Sequence, residues 1–313
     1  MRAFIFPGQG AQVIGMGRAL AEAYPAAAAV FEEVDEALGE KLSTLIWEGE
    51  AEELTLTANA QPALMATSMA AMAALGAEGV SLEAASYVAG HSLGEYSALC
   101  AAGTFSLADT ARLLRTRGEA MQAAVPVGDG AMAAILGLDF AGVARIAEEA
   151  AEGGVCQAAN DNDPGQVVIS GEKTQVMAAC DMAKAQGAKR AMLLPVSAPF
   201  HSALMQPAAE VMARALDEVD MAQPKVPLVA NVLAHDVEDP TAIRALLVDQ
   251  VTGAVRWRES VAWMAEKGVT EMWEIGAGKA LSGMVRRIDK TVATRAIGTP
   301  DDVKAAVAAL AEE

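Results

Sequence analysis

Cysteine is scarce: Cys100, Cys156 and Cys180 stand far apart and none has a CxxC partner. That excludes a disulfide framework and a thiolate metal knuckle, and leaves three small buried or half-buried residues. Basic residues are also short, 23 against 41 acidic, for a net charge of −18. A nucleic-acid binder must neutralise phosphates, so this balance argues against one, and any anionic partner has to find a local basic patch. No long apolar run opens the chain. MRAFIFPGQG meets Pro7 and Gly8 after a few residues, too early for a signal peptide or a membrane span, which points to a cytoplasmic protein without membrane contact. Aromatics are only 4%, and sixteen methionines take up some of the apolar volume; at helical spacing, as in LMATSMAAM, they read as core filler. Histidine is the shortage with the most direct consequence. Only His91, His201 and His235 can supply an imidazole.

What is present suffices for a large core. With 313 residues, 53% hydrophobic and 20% charged, the chain has the length of about two domains and no like-charge block long enough for a disordered tail. RAFIF reads as a buried strand stopped by Pro7, followed by several helical pieces to about residue 76. ASYVAG is a second strand and EYSALCAAG a helix closed by Gly103. Ser106 with Asp109 resembles a capping box opening a helix to about Val125. On that helix Leu107, Ala111, Leu114 and Met121 form the inner stripe, and Arg117 falls on its flank, turned partly inward.

From residue 127 to 196 the pattern changes to strand AMAAILGL, helix FAGVARIAEEA, strands VCQAAN and QVVISG joined by the turn-rich DNDPG, helix KTQVMAACDMAKAQG and strand AKRAMLLPV. The order βαββαβ is that of a ferredoxin-like unit. PLVANVL, VTEMWEIGAG and TRAIGT resume as strands and DDVKAAVAALAEE as a last helix. The expected architecture is α/β, with residues 1–126 and 197–313 forming the large domain and 127–196 an inserted α+β small domain.

Between strand and helix stands GHSLG, residues 90–94. It fits G-x-S-x-G, in which glycines permit a turn too tight for side chains. That turn extrudes the Ser hydroxyl above the sheet edge, with the next N–H aimed at a developing oxyanion. Ser92 is thus the candidate nucleophile, the rival reading being a tight structural turn. Its base is found by elimination. His235 lies in an acidic loop, AHDVEDP, and reads as solvated. His91 adjoins Ser92 on the elbow, where its side chain should point away, favouring a hydrogen-bonded structural role. His201 in SAPFHSALM remains. No acidic residue offers itself as a third triad member, because Asp161 and Asp163 stand among turn residues, so the acceptor that orients the His is expected to be an amide or a backbone carbonyl.

FPGQGAQ, GHSLGEYSAL, RTRGEAMQAAVPVGDGAMAAILG, ANDNDPGQVVISG, APFHSALM and EIGAGKAL follow one another along nearly the whole chain. Together they give a sequence that resembles the malonyl-CoA:acyl carrier protein transacylase family of fatty acid synthesis. The resemblance implies an α/β-hydrolase-like large domain and a ping-pong acyl transfer. Ser92 would take malonyl from malonyl-CoA and yield it to the phosphopantetheine thiol of acyl carrier protein, with no cofactor and no metal. It implies His201 as base, held by the main-chain carbonyl of Gln250, and the backbone N–H groups of Gln9 and Leu93 as oxyanion hole. Arg117 would pair with the malonyl carboxylate, and Phe200 would favour malonyl over methylmalonyl. Asn160 and Asn162 would face the cleft, with turn formation as the rival reading, and His91 counts among the residues bordering the substrate. The family commonly has Pro where Ala277 stands and often Ser where Ala11 stands. EIGAGKAL lacks Walker spacing, so nucleotide binding is not expected.

An acidic chain with the two anionic partners that the resemblance implies would need a positive face. KALSGMVRRIDK, with Lys279, Arg286, Arg287 and Lys290, is the densest basic stretch, joined by Lys189 and Arg190; a solvated helix face is the alternative. A monomer is expected. Rival functions are a serine esterase or thioesterase on the same elbow, which would want an acidic triad member and no cation in the acyl pocket, a polyketide-type acyltransferase, and a non-catalytic interaction protein on the same scaffold.

Overall fold

RAFIF forms β1 (Arg2–Phe6), and all five residues are buried. Burial on both faces is what a strand inside a layered parallel sheet requires. Phe4 and Phe6 enter the larger core while Ala3 and Ile5 enter a second one on the opposite face, as the two-residue period dictates. The computed structural model describes residues 1–196 and 198–312.

The remaining strands are β2 (Tyr87–Gly90), β3 (Gly130–Leu136), β4 (Cys156–Asp163), β5 (Gln166–Glu172), β6 (Arg190–Leu193), β7 (Leu228–Val229), β8 (Asp236–Val237), β9 (Glu271–Ile275) and β10 (Ala293–Ile297). They make a mixed α/β fold with two sheets. The first has the order β10-β9-β1-β2-β7-β8 and is parallel except for β8. β2 and β9 flank β1 on opposite sides, so the strand order reverses at the middle of the sheet. In open α/β sheets ligands lie in the crevice outside the carboxyl ends at such a point. Here Phe6 pairs with Gly90, which puts the loops PGQG and HSLG side by side at that edge.

The second sheet is antiparallel, β4-β5-β3-β6. Helices Phe140–Ala151 and Lys173–Ala185 cover one face and share a core with Ala133 and Ile135 of β3. Met132 and Val168 point the other way, into the main core. β4 fastens this unit to the large body. Asp161 N donates to Val255 O (2.9 Å) and Val255 N to Ala159 O (2.8 Å). Asp161, fully buried, takes Arg258 Nε on both oxygens at 3.0 and 2.9 Å, and Asp163 takes Arg287 Nε at 2.7 Å.

Several expectations need correction. DNDPG is not a loop: β4 runs through Asp163 with two bulges, and only Pro164 and Gly165 turn the chain. Asn160 and Asn162 are therefore strand residues, held there by pairing with β5 and Val255 that turn propensity cannot anticipate. PLVANVL contributes two strand residues only, and helices Gln206–Asp217, Pro240–Thr252 and Trp257–Glu266 lie around it. Arg287 is not simply a solvated cation, since it pairs with Asp163. The expected start of the returning large domain, residue 197, and the end of the last helix at Glu313 lie outside the described residues. Among the described residues no helix is long and apolar enough to cross a membrane.

Candidate active site

Ser92 caps the helix Leu93–Ala101 with φ 55° and ψ −111°, a conformation that costs a non-glycine residue energy. The tightness of the corner shows in its glycines. A Cβ on Gly90 would collide with the Gly94 carbonyl, and one on Gly94 with the carbonyl of Phe6. Gly8 is pressed against the His91 main chain in the same way, so the PGQG loop lies directly on the elbow. Asn231 braces it: Ser92 N donates to Asn231 Oδ1 (2.8 Å), and Asn231 Nδ2 donates to Gly90 O (2.7 Å).

His201 reaches Ser92 from 109 positions away, its Nε2 standing 2.7 Å from Ser92 Oγ. It too has positive φ, 58°, and Ser202 Oγ closes the turn by donating to Pro199 O at 2.8 Å. His201 Nδ1 lies 2.8 Å from the main-chain carbonyl of Gln250. A carbonyl can only accept, so Nδ1 carries the hydrogen and Nε2 presents its lone pair to the Ser hydroxyl. Burial, with the Arg117 charge adding to it, pushes the imidazole pKa down to about 3, against the pull of the Gln250 carbonyl. The ring is therefore neutral at physiological pH. Where a hydrolase triad has a carboxylate, this His has a peptide carbonyl.

Arg117 is 1% exposed. Its helix, Leu107–Ala123, starts at Ser106, whose hydroxyl accepts from Asp109 N at 3.0 Å. Gly118 lets that helix press against Thr57 and Ala58 of helix Thr57–Ala77, where a Cβ would clash. The close approach brings Gln61 to Arg117, and Nη1 donates to Gln61 Oε1 at 2.7 Å. Nη2 donates to Gln250 Oε1 (2.9 Å) and to Ser92 Oγ (3.1 Å). Burial lowers the guanidinium pKa, opposed by Tyr96 and Glu95; the Tyr96 ring centroid is 5.6 Å from its Cζ.

These groups open on a cavity of about 410 Å³, within the range of small-molecule sites. Gln9, His91, Leu93, Asn160 and Phe200 line it with Ser92, Arg117 and His201. Asn162 is not among the lining residues: its Oδ1 lies 2.8 Å from His91 Nε2, which ties the elbow to β4. The Gln9 side chain donates to Thr57 Oγ1 at 3.2 Å. His235 is exposed, its Nδ1 3.0 Å from Asp236 O. A larger cavity of about 690 Å³ between residues 124–129 and 172–177 holds neither nucleophile, imidazole nor buried cation. Among the described residues no group of His, Cys, Asp and Glu is placed to hold a metal ion.

A model of the acyl transferase domain matches residues 3–308. The malonyl CoA-acyl carrier protein transacylase of Bacillus subtilis (strain 168) is 48% identical over 312 residues, covering 99% of this chain and 98% of the relative. The chain belongs to the malonyl-CoA:acyl carrier protein transacylase family. A solved acyl-carrier-protein-S-malonyltransferase from Bartonella henselae is 59% identical with a TM-score of 0.97, covering 99% of both chains. A malonyl-transacylase solved in complex with its type II PKS acyl-carrier protein is 42% identical with a TM-score of 0.96, covering 98% of this chain and 99% of that one.

Sequence reasoning missed Gln61, Glu95 and Asn231, and saw in Gln250 only its carbonyl. Each left a signal. Gln61 is an amide next to Pro62 at the head of a long Ala- and Met-rich helix, Glu95 stands three residues after the nucleophile in the first turn of the helix that Ser92 caps, and Asn231 follows a strand at the carboxyl edge of the sheet. None of these signals names a partner.

Proposed function

We propose that the chain transfers the malonyl group of malonyl-CoA to the phosphopantetheine thiol of acyl carrier protein through a malonyl ester on Ser92. The observation that carries this reading is the convergence of a hydroxyl, an imidazole and a buried guanidinium, with Ser92 Oγ 2.7 Å from His201 Nε2 and 3.1 Å from Arg117 Nη2. His201 takes the Ser92 proton as Oγ attacks the thioester carbonyl and returns it to the departing CoA thiolate. In the second half it takes the proton of the incoming carrier thiol as the sulfur attacks the ester, and gives that proton to the departing Ser92 oxygen, which restores both residues. The N–H groups of Gln9 and Leu93 stabilise both tetrahedral oxyanions.

Arg117 selects a diacid. A guanidinium has five N–H donors. The Nη2 hydrogen that now meets Ser92 Oγ passes to the acyl carboxylate once the oxygen is esterified, and the second Nη1 hydrogen completes a two-point pair. An acetyl group would leave the buried cation without that anion, a cost of several kcal/mol. Phe200 narrows the pocket against a branched acyl chain, and His91 and Asn160 border the substrate, with Asn162 holding His91. Water is poorly placed in a site roofed by the small unit, which favours transfer over hydrolysis.

The large body reads as α/β-hydrolase-like, residues 1–126 and 197–313, and residues 127–196 as a ferredoxin-like unit. In that unit's own numbering its strand order is 2-3-1-4, with both helices on one face. Arg286, Lys279 and Lys290 form the face for the acidic carrier protein, while Arg287 and Lys189 meet at a groove beside Asp163.

The test is direct. Labelled malonyl-CoA should leave label on Ser92, and holo-acyl carrier protein should remove it as malonyl carrier protein; Ser92→Ala should take no label. Free malonate as the main product in the presence of carrier protein would overturn transfer in favour of a thioesterase.

A further inference from the structure

Glu95 is buried beneath the site and takes no part in the proposed chemistry. It lies three residues after Ser92, 1% exposed. We infer that Glu95 is a positioning residue that fixes the orientation of the Gln250 amide and, through it, aims Arg117 at the free carboxylate of the acyl group. This rests on the malonyl-transfer reading and adds to it a determinant of acyl selectivity.

The argument is one of donors and acceptors. An amide has nearly the same shape either way round, so packing alone does not orient Gln250. Its neighbours do. An ionised carboxylate only accepts and a guanidinium only donates. Between them Gln250 has one satisfactory setting, and it adopts that one: Nε2 donates to Glu95 Oε2 at 2.8 Å, and Oε1 accepts from Arg117 Nη2 at 2.9 Å. The reverse setting would face NH₂ toward the guanidinium and carbonyl toward carboxylate. Gln250 Nε2 also lies 3.0 Å from Ser92 O, to which it donates.

A second arm leaves the same oxygen. Asn231 N donates to Glu95 Oε2 at 3.1 Å, and the Asn231 side chain braces the elbow through Ser92 N and Gly90 O. One carboxylate thus stands behind both the cation and the nucleophile. It is costly to fold: Glu95 Oε1 is buried without a hydrogen-bond partner, and burial raises the carboxyl pKa to about 7 against the pull of Gln250, Asn231 and Arg117. A buried carboxylate that half lacks partners is a poor stability device. Its retention fits a positioning role.

The experiment compares malonyl and acetyl loading of Ser92 at pH 8, with thermal melts, in wild type, Glu95→Gln, Gln250→Ala and the double variant. Glu95→Gln keeps the volume but offers a donor as well as an acceptor. We expect its malonyl-to-acetyl ratio to fall about tenfold or more, the size of one charge-assisted hydrogen bond, with Tm unchanged or raised. In the Gln250→Ala background the same substitution should change the ratio less than about twofold, because the route to Arg117 is already cut. A ratio within about twofold of wild type in Glu95→Gln, or a full additive loss in the double variant, would overturn the inference. If Glu95→Gln does not fold, Glu95→Asp decides, since its shorter stem withdraws the carboxylate from Gln250: an unchanged ratio there is equally fatal. Wild type that loads acetyl as readily as malonyl would instead sink the malonyl reading itself.

Discussion

The two walls of the cavity are built differently. The large-body wall carries every charged or nucleophilic group: Ser92 and His201, both at positive φ, and Arg117 in a net of side-chain hydrogen bonds with Gln61 and Gln250. The small-unit wall contributes Met132, Asn160, Leu194, Pro195 and Val196 and is held by Asp161–Arg258 and Asp163–Arg287 away from the cavity and by Asn162–His91 at its edge. Two of the positive-φ non-glycine residues among those described and the buried guanidinium stand on the first wall, whereas the small unit's buried carboxylates, Asp161 and Asp163, are each paired with an Arg away from the cavity. The lesson is that substitutions on the first wall should alter chemistry and those on the second should alter stability and fit.

The largest effect expected tests the first wall. His201→Ala should slow malonylation of Ser92 by about 10²–10⁴ in rapid quench, the usual worth of a positioned general base; a loss under tenfold would mean that the wall is less specialised than its geometry. Next, Arg117→Ala should lower kcat/KM for malonyl-CoA by about 10²–10³ and raise acetyl transfer, since it removes a desolvated charge pair from one acyl group and an unpaired cation from the other. Equal losses for both acyl groups would assign Arg117 to the scaffold instead.

The second wall should answer in another currency. Asp161→Ala leaves Arg258 half-solvated and should cost about 1–3 kcal/mol in denaturant melts while changing kcat less than about threefold. A drop in kcat as large as that of Arg117→Ala would erase the contrast. Arg286→Glu, on the exposed basic face, should raise KM for acyl carrier protein about threefold at low salt, with the effect shrinking as salt rises. Arg287→Glu is a less clean probe because it would set two carboxylates together at Asp163.

The smallest expected effect is a flat line. With its pKa held at about 3 by burial and Arg117, His201 stays neutral on acidification. In Glu95→Gln, where no carboxyl titrates behind the elbow, labelling of Ser92 by a neutral phosphonate should therefore change less than about twofold between pH 7.5 and 5, where an imidazole at the ordinary value would lose about thirtyfold. Stability responds instead. Between about pH 6.5 and 3 the unfolded chain binds a proton at His201 that the folded one refuses, so this group's share of stability is present above that range and lost as pH falls through it. Glu95 works with opposite sign: the folded state holds its proton up to about pH 7, so its share is present in acid and lost as pH rises. Glu95→Gln should therefore steepen the acid loss, which a melt series across pH can read.

The sequence by itself determined what is local. Glycines spaced around Ser92 between a strand and a helix specify a turn that no side chain could share. The count of three imidazoles leaves His201 as the candidate base, and helical spacing turns Arg117 inward. The strand run 127–196 was legible in order but not in extent, because the pairing of β4 with β5 and Val255 overrides the turn preference of Asn and Asp. Only tertiary structure decided who meets whom across long separations. The acceptor behind His201 is a peptide carbonyl, which every residue owns and no residue type announces. The setting of Gln250 depends on Glu95 and Arg117 arriving from separate helices, 155 and 133 positions away. Short-range geometry is written in residue identity and spacing, whereas a buried polar network exists only once folding has removed the water that would otherwise satisfy each of its members.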